Sequence, residues 1–143
     1  MNTDNQLLEA INRYFPVEQR GIQSYSALTL AYLGDAVYEI IIRTLIVENH
    51  LGRVKSLHKQ SSRLVNAKAQ ATLMASIQES LTEKECSIYK RGRNTKSHSV
   101  AKNAEVHDYR IATGFETLMG YLYLNGEMER CLQLIKLGLP SIL

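Results

Sequence analysis

The sequence predicts an all-α fold, and two patterns indicate it. Apolar residues recur at the three- and four-residue spacing of amphipathic helices in several long stretches. No stretch alternates convincingly between apolar and polar residues, as a half-buried strand would. The 143 residues include only two Pro and eight Gly, and they contain no low-complexity run and no internal repeat. We therefore expect one domain over residues 1–143, built from about six helices.

Capping residues and a proline delimit the first two predicted helices. The first covers about residues 4–13 and ends before Pro16, which cannot continue a helix. The second covers about residues 25–48, and Ser24 or Ser26 can cap its start. The spacing of its apolar residues predicts a core stripe that comprises Ala27, Leu30, Ala31, Gly34, Tyr38, Ile41, Ile42 and Leu45.

A third helix is predicted over about residues 55–78. Its expected core positions are Leu57, Leu64, Ala67, Ala71, Leu73 and Met74. Thr82 and Glu85 have the spacing of a capping box, so a shorter helix should begin there and end near Arg91-Gly92. The segment from Gly92 to Asn103 is polar and is expected to form a loop.

Two further helices complete the predicted fold. They cover about residues 107–124 and 127–137, and Asn125-Gly126 separates them as a turn. The sequence thus predicts helices on both sides of one long polar loop.

Two carboxylates stand out because they interrupt the most apolar stretches. Asp35 follows Gly34 within LAYLGDAVYEIIIR, and Glu116 lies one helical turn before Gly120 within TGFETLMGYLYL. A buried ionised carboxylate is costly unless it is paired, hydrogen-bonded or bound to a cation. Two apolar helices that carry glycines can pack closely. The two acids could then bind one Mg²⁺, which prefers oxygen ligands.

Each acid also has a structural interpretation, which the sequence leaves open. Asp35 could make a local capping hydrogen bond, and Glu116 could pair with a neighbouring Lys or Arg. Glu39 lies one turn after Asp35 and one turn before Arg43, so an ion pair with Arg43 is the expected role of Glu39.

The distribution of charge is a second signal, although the formal net charge is only +3. Two segments, 49–78 and 86–104, contain no acid but hold ten of the seventeen basic residues: Arg53, Lys55, Lys59, Arg63, Lys68, Lys90, Arg91, Arg93, Lys96 and Lys102. Such segments create a local field suited to a phosphate backbone. The alternative is that these side chains are merely solvated on helix surfaces.

The contacts expected with a phosphate backbone come mainly from the second basic segment. Flexible Lys and Arg beside Ser, Asn and Thr suit the phosphates and hydroxyl groups of a nucleic acid. The residues expected to bind it are Arg91, Arg93 and Lys96, followed by Arg63 and Lys68.

Sequence features that report on location favour the cytoplasm. The two cysteines are too few to indicate a disulfide framework, and the first residues lack the pattern of a signal peptide. Residues 28–47 have about the length of a membrane span, but three charged residues would lie near its middle. No membrane association is therefore expected.

Two motifs resemble those of a known family. YLGDAVYE, residues 32–39, resembles the signature of the ribonuclease III catalytic domain, and FETLMGYLYL, residues 115–124, resembles its second motif. The similarity extends over about residues 22–137, which leaves no room for the double-stranded-RNA-binding domain that usually follows. Together with LHKQSSRLVNAKAQA and KRGRNTKS, the bare domain is similar to the bacterial Mini-ribonuclease III group.

The resemblance implies a homodimeric, Mg²⁺-dependent endonuclease that trims double-stranded stems of precursor large-subunit (23S) ribosomal RNA and leaves 5′-phosphate and 3′-hydroxyl ends. Asp35 and Glu116 occupy the motif positions of catalytic and metal-binding acids. Other acids of the larger enzymes fall on residues that cannot bind a metal through a carboxylate, namely Leu28, Ala31, Thr113 and the vicinity of Val54. With this resemblance, the nucleic acid expected at the basic segments is double-stranded RNA, and a ribosomal protein that presents the RNA is left open as a further partner.

The missing acids keep two other functions open. One is a helical RNA-binding or ribosome-associated module that does not cut RNA. The other is a helical protein-interaction module in which Asp35 and Glu116 are structural. Metal-dependent cleavage that is lost in Asp35→Asn would distinguish the nuclease from the RNA-binding module. In the protein-interaction module, substitution of the acids should reduce stability while RNA binding stays negligible.

Overall fold

The computed structural model describes residues 4–18, 20–49, 53–95 and 103–143. Within these ranges it contains seven α-helices and no β-strand, which confirms the predicted fold class. The helices are α1 (Gln6–Tyr14), α2 (Ala27–Asn49), α3 (Val54–Val65), α4 (Ala67–Ile77), α5 (Glu83–Arg93), α6 (Asn103–Leu124) and α7 (Met128–Gly138). Short 3₁₀ turns lie at Ile22–Ser24, Gln78–Ser80 and Leu139–Ser141.

Polar side chains cap several helices where the sequence predicts a start. The Ser26 hydroxyl oxygen accepts a hydrogen bond from Thr29 N at 3.1 Å, at the beginning of α2. At α5, Glu85 N donates to the Thr82 hydroxyl at 3.1 Å, and Thr82 N donates to the Glu85 carboxylate at 2.9 Å. The predicted capping box is therefore confirmed, because both backbone donors find a side-chain acceptor.

The prediction of one continuous helix over about residues 55–78 is wrong. The helix is interrupted at Asn66, whose backbone is extended, with ψ 164°. The Asn66 side chain accepts a hydrogen bond from Ala69 N at 2.8 Å and so caps α4, a role for which Asn is favoured. This break accounts for the seventh helix.

The predicted loop over residues 92–103 differs from the structure at both ends. Gly92 and Arg93 belong to α5, and α6 begins at Asn103 rather than near His107. Residues 96–102 of this segment lie outside the described residues.

The core forms around α6, which packs against α2, α4 and α5. Tyr38 of α2 meets Phe115 of α6 edge to face, with 5.1 Å between ring centroids. The Tyr38 hydroxyl donates to the carbonyl oxygen of Leu64 at 2.8 Å, so this buried polar atom is satisfied. Of the predicted α2 stripe, every member is buried except Leu45, which is half-buried.

The backbones of α2 and α6 approach each other closely at Gly34 and Gly120. A Cβ atom at Gly34 would overlap the carbonyl oxygen of Glu116 and would lie 2.7 Å from Gly120 N. A Cβ atom at Gly120 would overlap the carbonyl oxygen of Leu30. Because the obstructing atoms belong to the backbone, rotation of a side chain cannot relieve the overlap.

None of the helices in the described ranges has the length and apolar character needed to cross a membrane.

Substitution of Gly34 by Ala should lower the free energy of unfolding by about 1–3 kcal/mol, because the added methyl group pushes α2 away from α6. Urea denaturation followed by circular dichroism measures the change. Ala75 is exposed on α4, so Ala75→Gly serves as a control for helix propensity alone. A gain in stability for Gly34→Ala, which is the usual effect of this substitution in a helix, would contradict the close approach.

Candidate active site

The crossing of α2 and α6 brings Asp35 and Glu116 together. Asp35 follows the glycine that touches the backbone of Glu116. The two carboxyl groups are close enough for Asp35 to raise the pKa of Glu116. Two apolar helices thus present one acid each to a common point, although the acids are far apart in the sequence.

The two acids differ in their exposure. The interpretation of Asp35 as a buried carboxylate is wrong, because its side chain is exposed on the outer face of α2. Glu116 is half-buried. The apolar residues around Asp35 belong to a helix that is buried on one face only, so the hydropathy of the stretch does not report the environment of each side chain.

Burial raises the pKa of Glu116 to about 8, and the neighbouring Asp35 adds to this shift. A carboxyl group in a poorly solvated position resists ionisation, and a second negative charge nearby increases that resistance. A hydrogen bond from Gln70 acts in the opposite direction, because it stabilises the ionised form. The Glu116 carboxyl group is therefore harder to ionise than an exposed one.

Gln70 of α4 is a site residue that the sequence analysis missed. Its side-chain Nε2 donates to Glu116 Oε2 at 3.2 Å and to the carbonyl oxygen of Val65 at 2.9 Å. The residue is buried, and its Oε1 atom has no hydrogen-bond partner among the described residues. A sequence signal existed, since Gln70 lies on the same helical face as the apolar Leu73, Met74 and Ile77.

The chemistry of these groups fits a hard divalent cation. Among the residues that the structure describes, no three or more His, Cys, Asp or Glu side chains form a cluster. The candidate ligands are therefore the Asp35 and Glu116 carboxylates. Mg²⁺ commonly uses one or two carboxylates and retains several waters, so two acids suffice for it.

Glu39 is occupied elsewhere. Its carboxylate accepts a hydrogen bond from Arg43 Nε at 2.9 Å, across one turn of α2. The ion pair expected from the sequence is confirmed.

Four of the basic residues predicted to bind RNA lie on three helices. Arg63 is in the last turn of α3 and Lys68 is in the first turn of α4, on either side of the break between them, and both are exposed. Arg91 and Arg93 lie in the last turn of α5. Arg91 Nη2 donates to the carbonyl oxygen of Tyr25 at 3.3 Å, so α5 contacts the segment that leads into α2. Lys96 lies outside the described residues.

Arg93 is held close to the body of the domain. Its guanidinium carbon lies 5.7 Å from the centre of the Tyr89 ring, and its Nε donates to the Asn94 side chain at 3.2 Å. The charge of Arg93 is therefore presented in a restricted orientation.

An exposed apolar stripe runs along the outer face of α2. It consists of Leu28, Tyr32, Ala36 and Ile40, which follow one another at four-residue spacing. Tyr32 is 84% exposed. Tyr38, on the opposite side of the helix, is buried in the core. Asp35 borders the stripe, because it lies one turn after Tyr32.

The substitution Glu116→Gln should change stability in a pH-dependent manner in metal-free protein. The Glu116 carboxyl titrates near 4.5 when unperturbed and near 8 in the fold, so its ionisation opposes folding increasingly as the pH rises between these values. At pH 8 in EDTA, Glu116→Gln should be more stable than wild type by about 1–3 kcal/mol, with little difference near pH 4.5. Urea denaturation at both pH values provides the check. A variant less stable than wild type at pH 8 would show that this carboxyl group does not have a raised pKa.

Comparison with known proteins places this geometry in a family. The Ribonuclease III domain model matches residues 28–127, a range that contains both Asp35 and Glu116. The Mini-ribonuclease 3 of Enterococcus faecalis is 52% identical over 120 residues, which cover 81% of this chain and 89% of that protein. The Mini-ribonuclease 3 of Clostridium tetani is 47% identical over 131 residues, which cover 89% of this chain and 87% of that protein.

A solved structure supports the same assignment. The crystal structure of protein FN1578 from Fusobacterium nucleatum superimposes with a TM-score of 0.76 at 31% sequence identity. The match covers 87% of this chain and 100% of that one. The resemblance indicated by the two sequence motifs is thus confirmed, and the chain belongs to the ribonuclease III family of endoribonucleases.

Proposed function

We propose that this chain is a Mg²⁺-dependent endoribonuclease that cleaves double-stranded RNA and leaves 5′-phosphate and 3′-hydroxyl ends. The observation that carries the proposal is the meeting of Asp35 and Glu116 at the α2–α6 crossing. Family membership supplies the reaction class.

Asp35 and Glu116 would hold the ion, and the exposure of Asp35 leaves the position open to RNA from solvent. When bound, Mg²⁺ acidifies a water molecule and offsets negative charge at the scissile phosphate. The half-buried Glu116 must lose its proton to bind a cation. Because the pKa of Glu116 is raised, metal binding would release a proton and would strengthen as the pH rises. Asp35 and Glu116 would hold the ion on the protein side, and waters and a phosphate oxygen of the RNA would be its other ligands.

Substitution of either acid should abolish cleavage. With Mg²⁺ and a labelled RNA duplex, Asp35→Asn and Glu116→Gln should each reduce the cleavage rate by about 100-fold or more, because each removes a negative charge from the metal ligands. Glu39→Gln is the matched control, since Glu39 lies on the same helix but pairs with Arg43. Gel analysis of the products measures the rates.

The outcomes of this experiment separate the candidate functions. Unchanged cleavage in both acid variants would remove Asp35 and Glu116 from the mechanism. Binding of RNA by wild type without cleavage of any duplex would instead favour the non-catalytic RNA-binding module.

The natural substrate that we propose is a double-stranded stem of precursor 23S ribosomal RNA, cut in the cytoplasm, with a ribosomal protein as a candidate for presenting the stem. Support comes from the similarity to the Mini-ribonuclease III group. The ends of 23S RNA in cells that lack the protein test this substrate. Mature ends in such cells would contradict it.

A homodimer is the assembly that we propose, with the apolar stripe of α2 as part of its interface. The stripe exposes large apolar side chains beside the candidate site. Burial of this surface against a second copy would remove it from water. Two sites related by a two-fold axis would suit the two strands of a duplex. A single-chain mass in sedimentation at micromolar concentration would contradict this assembly.

The basic residues should control affinity rather than chemistry. Arg91→Ala and Lys68→Ala should each weaken RNA binding and reduce the slope of log affinity against log salt by about 1, because each side chain would neutralise one phosphate. Lys136 is exposed on α7, so Lys136→Ala tests whether loss of any surface charge has the same effect. Fluorescence anisotropy over a range of salt concentrations, in EDTA, measures the slopes. Equal slopes for all the variants would show that the basic segments are only solvated.

A further inference from the structure

We propose that Gln70 is a positioning residue that holds the Glu116 carboxylate in its metal-binding orientation. The inference rests on the proposed function, because it concerns the same metal site. It adds a third helix, α4, to the two that carry the acids.

The orientation of the Gln70 amide follows from its neighbours. Its Nε2 atom lies 2.9 Å from the carbonyl oxygen of Val65 and 3.2 Å from Glu116 Oε2. Rotation of the amide by half a turn would place Oε1 against these two oxygen atoms. An amide nitrogen has two hydrogens to donate, so only the observed orientation satisfies both acceptors when Glu116 is ionised.

The environment of Gln70 argues against a purely structural role. The side chain is only 2% exposed, and its Oε1 atom lacks a partner among the described residues. An unpartnered buried oxygen is unfavourable to folding. The buried neighbours of Gln70 on α4 include Leu73 and Met74, so an unbranched apolar residue such as Met would fill the position without that cost. What Gln provides, and Met does not, is the donor that Glu116 shares with the carbonyl oxygen of Val65.

The Gln70 donor acts on the more buried of the two acids. One Glu116 oxygen is fixed by Nε2, which restricts rotation of the carboxylate and leaves its other oxygen outside this hydrogen bond. Donors of this kind orient metal ligands, and their loss typically lowers metal affinity by 10–100-fold. Gln70 would therefore raise the affinity for the metal without contacting RNA.

The test measures binding of Mn²⁺ alone, as a probe for Mg²⁺, by electron paramagnetic resonance of the full chain without RNA. Gln70→Met should weaken Mn²⁺ binding by about tenfold. Its urea midpoint in EDTA should not fall below that of wild type, and its RNA affinity in EDTA should match that of wild type. Gln78 is exposed just beyond α4, so Gln78→Met is the matched control and should change none of these quantities.

Each outcome decides between specific alternatives. Unchanged Mn²⁺ affinity in Gln70→Met would overturn the inference, as would weaker binding accompanied by a lowered urea midpoint. If Gln70→Met does not fold, Gln70→Asn replaces it, because the shorter side chain keeps an amide but withdraws it from Glu116. Asp35→Asn and Glu116→Gln complete the set. If Asp35→Asn and Glu116→Gln bind Mn²⁺ like wild type, the proposed metal site is wrong. If these two variants bind Mn²⁺ weakly but Gln70→Met binds it like wild type, the metal site stands and only the proposed role of Gln70 is wrong.

Discussion

The close approach of α2 and α6 is the constraint on which the rest of the structure depends. Gly34 and Gly120 let one backbone rest on the other, which no residue with a side chain would allow. The core forms around α6 on this contact, with Tyr38 and Phe115 packed beside it. A hydrogen bond from the Thr117 hydroxyl to the carbonyl oxygen of Ala27, at 3.1 Å, joins the same two helices near the start of α2. The packing of these two helices therefore fixes the distance between the backbones that carry the two acids.

The same contact creates the electrostatic property of the site. Helices that pack this closely leave little water around Glu116, and they keep Asp35 nearby. The resulting repulsion disfavours two ionised carboxylates in the absence of a cation and is relieved when a divalent ion binds. The packing of the two helices therefore holds the two carboxyl groups together despite their repulsion, and a bound divalent cation would remove that repulsion. Gln70 adds a fixed dipole to this arrangement from α4, at the cost of one unpartnered oxygen.

The sequence predicts the helical fold, most helix boundaries and the proximity of the two acids, because periodicity, capping residues and glycine positions are local signals. It does not predict the break at Asn66, since the apolar pattern continues across it while the Asn side chain caps the next helix. It also fails for Asp35, whose exposure depends on which face of α2 the other helices cover. Gln70 was missed for a related reason: its contact with Glu116 joins two helices that are distant in the sequence. Tertiary packing decides such features, and a one-dimensional pattern does not contain it.

The α2–α6 crossing also determines when the site can exist during synthesis of the chain. Asp35 belongs to a helix near the beginning of the chain, whereas Glu116 and Gly120 belong to α6, near its end. The two helices can pack only when the long segment between them brings them together. Closing such a long segment costs conformational entropy, whereas forming each helix involves only neighbouring residues. Until α6 has emerged from the ribosome, a nascent chain therefore has neither a completed core nor the pair of carboxylates.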